Sequence, residues 1–210
     1  MSDAVGADTG GQRAPQNAEE ERAAAAFPQP GVSFRGGFGA AQRDRYSVGA
    51  TFRHSGMLRT NRDARVATDN FADEDIVAVF GREARDLDGL ADAPTEGETV
   101  YWPDPVFTVV AQRRLEDRVD ARLGDRLGDR VAHRRADQTD DPRLADQPLL
   151  TVIVVRSGND LDTDVEDAVQ RAARMILAAR EAPPVEVASP ARFRGPIGVD
   201  AGGNLQPVDA

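Results

Sequence analysis

The stretch from residue 33 to 65 combines two side-chain types that proteins use to hold single-stranded nucleic acid. It contains seven arginines and two acidic residues, with Phe and Tyr interspersed among them. Guanidinium groups bind phosphates and aromatic rings stack on bases, so this composition predicts nucleic-acid contacts. Protein–protein interfaces are also rich in Arg and Phe, which leaves an interface as the alternative. The predicted contact residues are Arg43, Arg45 and Arg53.

Groups that perform nucleophilic or general acid–base catalysis are scarce. The sequence has no Cys and no Lys, and its two imidazoles are His54 and His133. Thiolate metal sites, Schiff-base nucleophiles and phosphate loops that end in Lys are therefore excluded. His54 precedes Ser55, but no nucleophile-elbow motif accompanies the pair. We predict from this that the protein is not an enzyme and that it binds no cofactor.

Clusters of acidic residues could ligate cations, but none has a recognised ligand spacing. FADEDI, TDD and DLDTDVED are the main clusters, and none matches the calcium loop of twelve residues. Helix capping and solvated surface account for such clusters as well. We therefore predict no metal site.

A segment with a four-residue repeat, RRLEDRVDARLGDRLGDRVAHRR, spans residues 113–135, and in it Arg precedes Leu or Val. On an α-helix this spacing aligns the apolar side chains in one stripe beside a row of arginines. Gly124 and Gly128 each cost about 1 kcal/mol relative to Ala, so the helix needs packing along its stripe. That packing is either an interface between subunits or contact with the protein's own sheet. The predicted interface residues are Leu115, Val119, Leu123, Leu127, Arg118, Arg122 and Arg126.

The strands and helices that must position these residues are predicted most clearly in the C-terminal half of the sequence. LLTVIVVR, residues 149–156, is a continuous apolar run that predicts a central strand buried on both faces. The following LDTDVEDAVQRAARMILAAR predicts an amphipathic helix, with Thr163 as N-cap and Glu166 completing a capping box. PVFTVV, residues 105–110, predicts a neighbouring strand, and VEV, residues 185–187, a further short one.

Alternating strand and helix patterns predict an α+β or α/β fold, a small mixed sheet with helices packed on one face. FADEDIVAVFGREARDL fits either a helix or a strand, and residues 31–53 predict short strands or irregular structure. One domain, 33–188, would carry the Arg-rich helix near 111–136. Residues 1–32 and 189–210 have few side chains to bury and predict N- and C-terminal arms.

The net charge indicates the environment in which the protein works. There are 26 basic and 36 acidic residues, a formal net charge of −10, and every basic residue is Arg. Acidic, Lys-depleted proteins are typical of high salt, as in halophilic archaea and their viruses, whereas coding bias in a high-GC bacterium is the alternative. No apolar run reaches the length of a membrane span, which predicts a soluble, intracellular chain without membrane contact.

The segment LLTVIVVRSGNDLDTDVEDAVQRAARMI, with VFTVV as sheet partner, resembles the central unit of tail terminator proteins from long-tailed viruses. The resemblance covers about a quarter of the chain. It implies a small α/β subunit that forms a ring, commonly a hexamer, at the junction between head and tail. The Arg/Leu segment and the two arms depart from a minimal member, so an adaptor or head-closure subunit is the neighbouring interpretation.

From this resemblance we predict a structural virion protein of a halophilic tailed virus, assembled in the host cytoplasm. Its partners would be further copies of itself in a ring, other virion proteins and the DNA that passes through. The alternative is a cellular nucleic-acid-associated protein of a halophile that uses residues 33–65.

Overall fold

A mixed sheet of eight strands forms the centre of the protein. The computed structural model describes residues 14–26, 31–37, 43–73, 75–87, 97–115, 150–158 and 164–208. The strands, in chain order, are β1 Gly31–Gly36, β2 Thr51–Arg53, β3 Leu58–Asn61, β4 Asp75–Gly81, β5 Arg85–Asp86, β6 Glu98–Tyr101, β7 Val106–Leu115 and β8 Leu150–Ser157.

The strands lie in the order β2-β7-β8-β4-β1-β3-β6-β5. Among the described pairs, β4 with β8 is parallel and the others are antiparallel. β4 is buried at every position from Asp75 to Gly81, which fits the near-continuous apolar sequence of a strand covered on both faces. The predicted fold class, a mixed sheet with helices, is confirmed.

Helices cover one face of this sheet. The helices are α1 Ala18–Ala25, α2 Ala64–Ala67 and α3 Val165–Glu181, and a 3₁₀ helix spans Pro190–Phe193. α3 buries Ala168, Ala172 and Ile176, whose spacing of four places them on one side of the helix. They join the core residues of β1, β4 and β8. The other face of the sheet packs a second cluster that includes Tyr46, Phe107 and Ile197.

Several predicted elements differ in the structure. The ambiguous stretch around residue 76 is a strand. α3 is capped by Asp164, whose carboxylate accepts a hydrogen bond from the Glu166 amide at 2.9 Å, and not by Thr163, which lies outside the described residues. Residues 185–187, predicted as a strand, have no regular structure. This segment is fixed instead by hydrogen bonds between the backbone of Val185 and the side chain of Asn70, in the loop after α2.

The predicted Arg-rich helix near 111–136 requires a correction at its start. β7 continues to Leu115, because residues 111–115 pair with β8 through a register shift at Val109 and Ala111. A β-bulge of this kind lets an extended strand keep its pairing. Residues 116–149 lie outside the described residues, so the rest of the helix stays a prediction.

Both predicted arms contain residues packed against the domain. Ala23 of α1 and Ala26, the C-cap of that helix, are buried with Val100 and Trp102. In the C-terminal part, Phe193 and Ile197 are fully buried, although the sequence around them is rich in Gly and Pro. Two large apolar side chains therefore fix this segment to the sheet.

Among the described helices, none combines the length and the apolar character that crossing a bilayer requires.

Candidate functional site

A groove of about 930 Å³ opens between α2, the end of α3 and the segment that follows it. This volume lies within the roughly 300–1,000 Å³ typical of small-molecule sites. The apolar wall comes from α3. Three arginines and two acidic residues supply the charged lining. The groove is lined, among others, by Arg62, Asp63, Arg65, Gly97, Met175, Ala178, Ala179, Glu186 and Arg192.

Glu98 is not itself among the residues that line the groove, but it directly follows Gly97, which is. It is the first residue of β6, opposite Asn61 of β3, and its side chain is 1% exposed. Arg192 donates from Nε to Oε1 at 3.1 Å, and Arg59 donates from Nη1 to the same oxygen. Within the part of the chain that the structure describes, Oε2 accepts no hydrogen bond. A buried carboxylate thus has one oxygen held by two guanidiniums and the other without a partner.

Arg35, on β1, bonds the backbone of both arginines that hold this carboxylate, and its acceptors among the described residues are all neutral. Nη1 donates to the carbonyls of Arg59 and Arg192 at 2.8 and 3.3 Å. Nε donates to Gly195 O at 2.9 Å, and Nη2 to Arg194 O at 2.7 Å. Burial lowers the pKa of this guanidinium to about 10, because the site replaces water by a less polar environment.

The C-terminal segment approaches the end of β1, where Gly36 closes the strand and Gly37 follows it. Arg194 forms a parallel bridge with Gly36 and a bidentate ion pair with Asp73, in which Nε lies 3.0 Å from Oδ2. A Cβ at Gly36 would lie 2.7 Å from both Ala67 O and Asp73 Oδ2, and one at Gly37 would lie 2.6 Å from Arg194 Cβ. Side chains at these positions would therefore displace the segment.

The rim of the groove is held by α2 and the turn that follows it. Arg65 pairs with Asp63 and donates to Pro183 O at 2.6 Å. Asn70 bonds the backbone of Val185 in both directions, at 2.9 and 2.8 Å. Asn70 has φ 57° and sits between two further residues of positive φ, a conformation that costs about 1–2 kcal/mol per L-residue.

His54 lies in the loop after β2, near Arg35. Its pKa is lowered to about 4, first by burial and then by the positive charge of Arg35. Nδ1 accepts from the Val199 amide at 3.5 Å, which requires the unprotonated nitrogen. His54 is therefore a neutral, structural imidazole above mildly acidic pH.

The residues predicted to contact nucleic acid are not brought together as one charged surface. Arg43 is ion-paired with the buried carboxylate of Asp75 at 2.7 Å. Arg45 and Arg53 are exposed, Arg45 in a turn and Arg53 in β2. Of the predicted interface residues, Leu115 is partly buried against the core at the end of β7. Val119, Leu123, Leu127, Arg118, Arg122 and Arg126 lie outside the described residues, so self-association through them stays a prediction.

Sequence reasoning missed Glu98 and Arg192, and it counted Arg35 and Arg59 only among the seven arginines of the basic stretch 33–65. The available signal was a charged residue directly beside an apolar stretch, since Glu98 begins ETVYW and Arg35 follows GVSF. A charge at such a position is either paired or functional. No group of three or more His, Asp or Glu residues that could hold a metal ion occurs in the described ranges.

Three solved structures resemble this fold in part. Vis toxin, an ADP-ribosyltransferase from Vibrio splendidus, is 12% identical, with 64% of this chain and 51% of that chain covered and a TM-score of 0.40. The ADP-ribosyltransferase HopU1 of Pseudomonas syringae is 14% identical, with 67% and 49% covered and a TM-score of 0.42. Plx2a, an ADP-ribosyltransferase toxin from Paenibacillus larvae, is 11% identical, with 64% of each chain covered and a TM-score of 0.39.

The chain spans about half the length of the Vis and HopU1 structures. No protein-family model matches it, and no curated protein matches its sequence.

The predicted resemblance to tail terminator proteins is wrong, since these structural neighbours are ADP-ribosyltransferases. A buried strand followed by an acid-capped helix is a unit that many unrelated folds share. Three further predictions are wrong because the structural neighbours are ADP-ribosyltransferases. They are a virion or neck component, a nucleic-acid-associated protein, and a protein without enzymatic activity.

Proposed function

We propose that this chain is an enzyme that binds a phosphorylated nucleotide in the groove, with Glu98 as its reacting carboxylate. The observation that carries the proposal is Glu98 itself. Its side chain is 1% exposed and fixed by Arg59 and Arg192, and Oε2 accepts no hydrogen bond from the described residues. A preorganised charge beside a groove can stabilise opposite charge that develops in a transition state.

The groove lining supports a ligand with both anionic and flat apolar parts. Arg62, Arg65 and Arg192 supply guanidinium groups, which suit phosphate oxygens geometrically. Met175 and Ala179 of α3 form part of an apolar wall against which a ring could pack. A nucleotide has both kinds of group.

The reaction we propose is ADP-ribosyl transfer from NAD, the activity after which Vis, HopU1 and Plx2a are named. The support comes from the residues of the site, not from the likeness of fold. When the bond between the ribose C1′ and the nicotinamide nitrogen breaks, nicotinamide leaves with the electron pair and positive charge develops on the sugar. Glu98 would stabilise that charge, as carboxylates do in glycoside hydrolysis. Water or an acceptor attacks C1′ and loses its proton to solvent.

The test is release of nicotinamide from NAD by the purified chain and by Glu98→Gln. This change removes the charge and keeps the size of the side chain. We expect the wild type to release nicotinamide and the variant to have a kcat lower by about 10²–10³-fold, the loss typical of removing one electrostatic contributor.

Glu20→Gln is the matched control. Glu20 is a second buried glutamate, 6% exposed, on α1 and away from the groove lining, and its substitution should leave kcat near the wild-type value. Equal rates for Glu98→Gln and the wild type, or no nicotinamide release by the wild type, would contradict the proposal.

A further inference from the structure

The two arginines whose side chains hold Glu98 are themselves bonded, at their backbone carbonyls, by a third arginine. Arg35 donates from Nη1 to the carbonyls of Arg59 and Arg192, and the side chains of these same two residues donate to Glu98 Oε1. One arginine on β1 therefore connects β3 and the C-terminal segment at the residues that fix the carboxylate.

We propose that Arg35 is a positioning residue and that the C-terminal segment, residues 189–197, supplies Arg192 as an essential part of the Glu98 site. The role of Arg192 in this inference rests on the proposed function. The way in which Arg35 holds the segment rests on the geometry alone.

The acceptors around Arg35 indicate this role. Its bonds run to four backbone carbonyls, three of which belong to Arg192, Arg194 and Gly195. These three are near-neighbours in one turn, so only a planar fork of N–H donors can reach them together from one side. Further anchors of the segment are Phe193 in the core, the Arg194 ion pair with Asp73, and Ile197, which is fully buried and bonded through its backbone to the Tyr46 hydroxyl.

Arg192 contacts the Glu98 carboxylate and also lines the groove, as a residue essential to the site would. Its Nε is bonded to the Glu98 carboxylate at 3.1 Å, its side chain is 27% exposed, and it lines the groove. An arginine that is partly exposed in the groove and bonded to the carboxylate is suited to bind a phosphate oxygen there.

The first arm of the test measures hydrogen exchange and needs no activity. The Gly195 amide donates to Gly36 O at 2.8 Å, so it reports whether the segment is in place. We expect Arg35→Gln and Arg35→Lys to raise its exchange rate at least tenfold, since neither side chain can bond four carbonyls. Arg53→Gln, at an exposed arginine of β2, is the control and should not change it. An unchanged rate in Arg35→Gln would overturn the proposal.

The second arm is a double-mutant cycle on nicotinamide release. Arg192→Gln alone should lower kcat at least thirtyfold with the Gly195 amide still protected, and Arg35→Gln should lower kcat similarly. The losses of the two single variants should combine less than multiplicatively in the double variant, because part of the effect of Arg35 passes through Arg192. Multiplicative losses would mean that Arg35 acts on the ligand directly and would overturn the proposal, as would wild-type kcat in Arg192→Gln.

If Arg35→Gln does not fold, Asp73→Asn loosens the same segment through Arg194 without changing the site. It should raise Gly195 exchange and lower kcat together, with Asp167→Asn, at the exposed ion pair of α3, as its control. A loosened segment with unchanged kcat would overturn the proposal. If the wild type releases no nicotinamide, the proposed function fails, and the exchange arm still decides whether Arg35 holds the segment.

Discussion

At the residue scale, the buried charges of this protein are organised around arginine. Arg35 donates to four backbone carbonyls, and Arg59 and Arg192 both donate to the Glu98 carboxylate. A guanidinium with five donors in a planar fork permits such a set of bonds better than an ammonium does. A chain that contains no Lys therefore keeps its capacity to bind carboxylates and carbonyls at fixed geometry. The absence of Lys excludes some chemistries but leaves electrostatic catalysis by Glu98 available.

His54 makes the stability depend on pH. The pKa of its imidazole is lowered to about 4 in the folded protein, against an ordinary value near 6.5 in the unfolded chain. Between these values the unfolded state binds more protons, so the stabilisation is present above pH 6.5 and is lost as pH falls toward 4. Between pH 7 and 5 we expect the wild type to lose about 2 kcal/mol on this account.

His54→Asn should remove that loss, because Asn keeps an acceptor for the Val199 amide and does not titrate. The measurement is the free energy of unfolding in urea at pH 7 and 5, compared between variants. The control is Arg53→Gln, at an exposed arginine in the neighbouring position, which should follow the wild type. Parallel curves for His54→Asn and the wild type would show that His54 titrates normally in the folded state.

At the element scale, the sequence predicted what depends on local pattern and missed what depends on tertiary contact. The run LLTVIVVR becomes β8 and the following acid-capped stretch becomes α3, because a continuous apolar run and a spacing of four are sufficient signals. The Glu98 site could not be predicted in this way. Its residues come from β1, β3, β6 and the 3₁₀ helix, which are brought together only by strand order, and no local spacing encodes that order.

The turn after α2 shows how one element sets the groove. Asn70 tolerates a positive φ and bonds Val185 through both amide atoms. Asn70→Ala loses these bonds and leaves, at a positive φ, a side chain that cannot hydrogen-bond to the local backbone as Asn does. We therefore expect a loss of about 2–4 kcal/mol of unfolding free energy. Asn70→Gly loses only the bonds and should cost about 1–2 kcal/mol.

Urea unfolding of the two Asn70 variants separates the two contributions. Their difference measures the backbone strain, and the loss in Asn70→Gly measures the bonds to Val185. If Asn70→Gly is as stable as the wild type, the side chain does not tie the segment after α3 to the rim.

At the scale of the whole molecule, the net charge of −10 opposes compaction through repulsion among acidic residues. The ion pairs of the fold are of a different kind. The carboxylates of Asp75 and Glu98 are 0% and 1% exposed, so salt screens them little, whereas exposed charges are screened within about 3 Å at 1 M. Adding KCl from 0.05 to 1 M at pH 7 should therefore raise the melting temperature, with repulsion relieved and the buried pairs retained. Repeating the series near the sequence pI of about 4.7, where the net charge vanishes, should shrink the increase. A melting temperature that falls with KCl at pH 7 would mean that exposed ion pairs, and not repulsion, dominate the electrostatics of this chain.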